Sequence, residues 1–125
     1  LALALANSGH ADRAVEQYHE VLKRDSGFIP SLCGLSWLRS THGHPEMRNA
    51  EEALELAGRA AEIDGSNPNV LNTLAAAYAE AGRFSEAVKT AEQAASLAGK
   101  AGFPGLAQQI SRRIQLYRQG KPARE

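Results

Sequence analysis

Apolar side chains recur along this chain in steps of three and four. Leu71, Leu74, Ala75 and Tyr78 stand at i, i+3, i+4 and i+7, which is one face of a 3.6-residue helix. Gly82 predicts its end, since glycine takes a left-handed cap without a Cβ penalty. Asn67 and Pro68 predict its start, because Pro cannot continue a preceding helix but suits the entrance of a new one. Ala87, Val88, Ala91 and Ala94 then trace the inner face of a second helix, with Ser85 as its N-cap. Phe103, Leu106, Ala107, Ile110, Ile114 and Tyr117 trace a third, stopped by Gly120 and Pro122. Arg112, Arg113, Gln115 and Arg118 form its polar back.

The same arrangement repeats upstream. Gly9 to Gly43 is 34 residues and Gly43 to Gly82 is 39, whereas Ala14 to Ala53 is 39 and Ala53 to Ala87 is 34. Both series agree if the unit is 34 residues and the middle unit carries five extra residues just after Gly43. Such a period marks a solenoid of stacked helix pairs. The expected division is a beheaded unit over 1–28, a unit with the insertion over 29–67, and a unit over 68–101. A capping helix over 102–119 and a tail over 120–125 follow. The opening "LALALANSG" lacks the basic start of a signal peptide and reads as the end of a truncated helix, so the chain is expected to be a C-terminal fragment of a longer repeat protein.

These positions resemble the tetratricopeptide repeat. The last full unit matches at Leu71, Leu74, Ala75, Tyr78, Gly82, Phe84, Ala87, Ala91 and Ala94. The middle unit offers Leu32, Leu35, Ser36, Arg39, Gly43, Ala53, Ala57 and Ala60, and the first Leu1, Ala2, Leu5, Gly9, Ala11, Ala14, Tyr18 and Val21. Arg39 departs from the family's aromatic, and Ser26, Gly65 and Gly99 stand where Pro is usual near the repeat end. The resemblance covers roughly residues 1–99. It implies an all-α fold: a right-handed superhelical solenoid of antiparallel helix pairs, about two and a half units plus the capping helix.

In this family the first helix of each pair lines a concave groove. Transferring those positions places Pro30, Cys33, Gly34, Trp37, Ser40 and Thr41 there from the middle unit. The third unit contributes Asn69, Asn72, Thr73, Ala76 and Glu80, and the first contributes Leu3, Ala6 and Asn7. The resemblance thus implies a module that binds a peptide or partner protein. Trp37, the single Trp, reads as an apolar anchor for that ligand or as packing between neighbouring helices. Asn69, Asn72 and Thr73 are suited to hydrogen-bonding an extended backbone, with helix-start chemistry as the alternative for Asn69. Some family members grip a C-terminal carboxylate with cations on these helices. No Lys or Arg occupies the transferred positions, and Glu80 would repel an anion, so an apolar or backbone-read segment is the expected ligand.

Composition narrows the alternatives. Basic and acidic residues balance at 14 each, which argues against nucleic acid, whose binding needs a cationic surface. No apolar run approaches bilayer length, so no membrane insertion is expected of this fragment. Cys33 alone cannot make an internal disulfide, which is compatible with cytosol or periplasm, the cytoplasm being favoured. His42, His44 and Cys33 invite a metal reading, but His-x-His alone lacks the three or four ligands of a zinc site, and a solvated turn is preferred. His10 and His19 have no acid–nucleophile arrangement beside them. Glu51, Glu52, Glu55, Glu62 and Asp64 read as an acidic helix start and solvated face. No catalytic residue, cofactor or metal is expected. The inserted loop 44–49 is either a contact surface or a harmless length variation. The competing function is a structural spacer of a larger multidomain protein, and the cut first unit offers a surface for self-association.

Overall fold

The computed structural model describes residues 11–124. The readings at Leu1, Ala2, Leu3, Leu5, Ala6, Asn7, Gly9 and His10 lie outside those residues. Six α-helices and no strand occur among the described residues: α1 Ala11–Arg24, α2 Ile29–Thr41, α3 Ala50–Ile63, α4 Pro68–Glu80, α5 Phe84–Lys100 and α6 Pro104–Arg118. A 3-10 turn, Pro45–Met47, lies between α2 and α3. Each helix packs on the next, and α2 also packs along α4, so the chain is an all-α solenoid. No described helix is long and apolar enough to cross a membrane.

Local chemistry explains most boundaries. Asn67 caps α4 by accepting a hydrogen bond from the Asn69 N–H at 2.9 Å, with Pro68 next in the first turn. Asn49 caps α3 in the same way through the Glu52 N–H, and Glu51 and Glu52 complement the helix dipole. After α4 the chain turns through Gly82, whose φ of +78° is left-handed. The Arg83 N–H then reaches back to the Tyr78 carbonyl at 2.9 Å, closing the helix end. The predicted cap at Ser85 is not found. Arg83 holds the N-cap position without a side-chain bond, and Ser85 lies exposed inside α5. Arg83 instead forks onto Glu86 at 2.7 and 2.8 Å and lies over the Tyr78 ring, which fixes the α4–α5 corner without a hydroxyl.

The predicted inner faces are buried. Leu71, Ala75, Ala87, Ala91 and Ala94 form one core with Ile110, Ile114 and Tyr117 of α6, and Leu74, Tyr78 and Val88 pack partly against it. A second core joins α1, α2 and α3 through Ala14, Tyr18, Leu32, Leu35, Leu56 and Ala60. Between them Ala53, Ala57 and Ala77 are fully buried, a seam of methyl groups that lets α3 and α4 approach closely. Ser36 belongs to the same junction: its hydroxyl donates to the Ala53 carbonyl at 2.8 Å, satisfying a buried polar group. Phe103, expected on the inner face of α6, is 55% exposed instead, because it precedes the first helical turn as N-cap.

The five extra residues have a structural partner in Arg39. His42 leaves α2 extended (φ −58°, ψ 140°), so the exit is made there rather than at Gly43. Arg39 is salt-bridged to Glu52 of α3 and donates to the Met47 carbonyl at 3.1 Å, while its own carbonyl accepts from the Asn49 N–H at 2.8 Å. The missing aromatic and the insertion are therefore one feature. A cation at position 39 collects the carbonyl and carboxylate that the longer loop brings to it.

Candidate functional site

The first helices of successive pairs, α2 and α4, lie side by side, and α6 faces them across a cleft of roughly 400 Å³. Cys33, Gly34 and Trp37 enter it from α2, Asn69, Asn72 and Thr73 from α4, and Leu106, Gln109 and Arg113 from α6. Pro30 of α2 and Tyr18 of α1 complete the wall. Seven of the transferred groove positions thus come together: Pro30, Cys33, Gly34, Trp37, Asn69, Asn72 and Thr73.

Their side chains are unequal in what they can offer. The Asn72 carboxamide lines the cleft and makes no hydrogen bond among the described residues, although the residue is only 9% exposed. The Thr73 hydroxyl donates to the Asn69 carbonyl at 2.9 Å and also meets the Cys33 thiol. Burial pushes that thiol above its ordinary pKa, against a smaller opposing pull from the Thr73 hydrogen bond. Cys33 therefore stays protonated at neutral pH and is a poor nucleophile. Ser40, Thr41 and Ala76 are buried and do not line the cleft. Ser40 and Thr41 return their hydroxyls to the carbonyls of Ser36 and Trp37 in the preceding turn of α2.

Glu80 differs most from expectation. Its side chain is 15% exposed and stands between two arginines, with Arg48 Nε 3.4 Å from Oε2 and Arg124 Nη1 2.8 Å from Oε1. The predicted repulsion of an anion is thereby cancelled. The second departure is Arg113, expected on the solvated back of α6. Its guanidinium carbon lies 4.7 Å from the centroid of the Trp37 ring, a cation–π stack across the groove. No carboxylate pairs with Arg113 among the described residues. The groove therefore carries a cation after all, supplied by α6.

Gly34 decides how closely α1 and α2 meet. A Cβ built there would fall 2.5 Å from Tyr18 Cζ and 2.6 Å from its hydroxyl oxygen, and Tyr18 is itself buried. Gly34→Ala is expected to cost about 1–3 kcal/mol as an overpacked contact. A thermal melt unchanged from the parent would show that Tyr18 moves freely aside.

His42 and His44 flank Gly43 at the start of the insertion with their rings 5.3 Å apart, and His42 Nδ1 accepts the His44 N–H at 3.0 Å. Among the described residues no three His, Cys, Asp or Glu side chains gather as a metal site.

Stacked antiparallel helix pairs define a helical-repeat scaffold. Residues 46–101, from the 3-10 turn through α5, match the family model described as tetratricopeptide repeat, and this stretch belongs to that family. Such repeats generally mediate protein–protein interaction and are typically non-catalytic. No curated protein matches the chain.

Proposed function

We propose that the cleft between α2, α4 and α6 binds an extended segment of a partner protein. What supports this most directly is the Trp37–Arg113 stack facing Asn69, Asn72 and Gln109 in one cleft. The carboxamides present donors and acceptors together, which suits a peptide main chain without reading its side chains. The stack is a plate with an apolar body and a positive charge, so the segment carries an apolar side chain beside a carboxylate. Arg118 and Glu92 pair with each other on the outer side at 3.1 Å and take no part.

The test is selection of peptides from a displayed random library on the full chain, followed by affinity measurement against Trp37→Ala and Arg113→Ala. Each substitution is expected to weaken the selected peptides by roughly 2 kcal/mol or more, as for an interface hot spot. Arg113→Ala should leave the melting temperature within a few degrees of the parent. Peptides that bind both variants as tightly as the parent would place the ligand elsewhere.

A further inference from the structure

Beyond the cleft, the groove continues toward the C-terminal ends of α2 and α4, and there it is filled by the chain itself. Gly120, left-handed at φ +73°, ends α6 and turns the following segment back across these helix ends. Ala123 is 3% exposed and joins the core of α4, α5 and α6. The next side chain, Arg124, donates to the carbonyl oxygens of Ser40 at 3.1 Å and Ala123 at 3.0 Å and makes its charge contact with Glu80.

The seat is built to receive a cation. Ser40 lies in the last turn of α2, where helix carbonyls have no partner of their own, and Glu80 is the last residue of α4. The carbonyl end of α2 and the Glu80 carboxylate therefore converge on one point. Arg48 belongs to the frame: its Nη1 is held by the His42 carbonyl at 2.7 Å while its Nε meets the far oxygen of Glu80. One carboxylate oxygen and the Ser40 carbonyl are left for an incoming guanidinium. The arginine that occupies it, by contrast, is held only at its exposed side chain. Arg124 remains 37% exposed, so solvent and salt screen its pairing, and residues 121–124 form no regular structure of their own.

We propose that the C-terminal ends of α2 and α4 form an arginine-receiving seat that accepts an arginine side chain from an extended segment of a partner protein. Arg124 is its resident competitor. This seat uses none of the residues of the Trp37 cleft, so it stands or falls separately from the peptide reading given above.

The probe is a synthetic peptide, acetyl-Lys-Pro-Ala-Arg-Glu-amide, titrated by calorimetry into the full chain and into its Arg124→Ala variant. A tethered segment competes at a millimolar effective concentration, so the peptide is expected to bind the variant roughly ten-fold or more tighter than the parent. Replacing its arginine with alanine should abolish binding. Adding Glu80→Gln to Arg124→Ala should weaken it by a further factor of about ten, and higher salt should weaken it as well. Circular dichroism of the two variants confirms that both are folded. Equal affinity for parent and Arg124→Ala overturns the proposal. So does binding of the alanine peptide as tight as that of the arginine peptide, or no binding to Arg124→Ala at millimolar peptide.

Discussion

Ala87→Glu is expected to abolish the folded state. Ala87 is fully buried near the start of α5, packed in the core that holds Leu71, Ala75 and Ala79 of α4. A glutamate there adds volume where helices touch and brings a carboxylate out of water among apolar side chains. Overpacking alone costs about 1–3 kcal/mol, and an unpaired buried charge costs several more. Their sum rivals the roughly 5–15 kcal/mol that holds a typical domain together. The cooperative thermal transition seen by circular dichroism should disappear. Ala53 occupies the equivalent position one unit earlier and is equally buried, so Ala53→Glu should behave alike. Lys89→Glu, two residues away and exposed, should melt within about 0.5 kcal/mol of the parent. If Ala87→Glu melted like Lys89→Glu, the repeat register would be wrong.

That register was readable because close helix approach leaves a chemical trace. Only a methyl group fits where α3, α4 and α5 touch, so Ala53, Ala57, Ala77 and Ala87 record the stacking in residue type as well as in spacing. From the register follows the gathering of Cys33, Trp37, Asn69, Asn72 and Thr73 around one cleft. Arg39 and the insertion were each visible as anomalies, yet not as partners, since the pairing of residues 39 and 52 depends on the path of an irregular loop. Arg113 shows what repeat spacing leaves out. Its i, i+3, i+4 pattern says that it lies off the apolar stripe of α6, but a polar face can meet solvent or another helix two pairs away. The curvature of the stack decides between them, and that is a sum of small rotations no single residue encodes. Arg124 follows a Gly and a Pro, beyond any periodic pattern, so its place on Glu80 had no signal in spacing.

Tyr117 carries the second large effect, because α6 depends on it for its seat and brings Arg113 to the groove. Among the described residues it is the largest fully buried side chain, set among Ile110, Ile114, Ala123 and the alanines of α4 and α5. Tyr117→Ala is expected to cost about 3–5 kcal/mol by removing a buried aromatic, and to weaken any ligand that relies on Arg113. Tyr117→Phe separates packing from the hydroxyl. That hydroxyl is buried and has no hydrogen-bond partner among the described residues. Burial pushes its pKa up to about 12, against a smaller downward pull from Arg113. The folded pKa thus lies above the unfolded value of about 10. The neutral phenol's contribution is therefore complete below about pH 10 and is lost as pH rises toward 12. At about 1.36 kcal/mol per unit the alkaline loss is on the order of 2–3 kcal/mol. Since phenylalanine cannot ionise, Tyr117→Phe should match or slightly exceed the parent at pH 7 and should lose less stability between pH 10 and 12. Denaturant titrations at pH 7 and across that alkaline window measure the difference directly. Parallel curves for parent and Tyr117→Phe would mean that the phenol ionises without unfolding the protein, and hence that the α6 seat admits water.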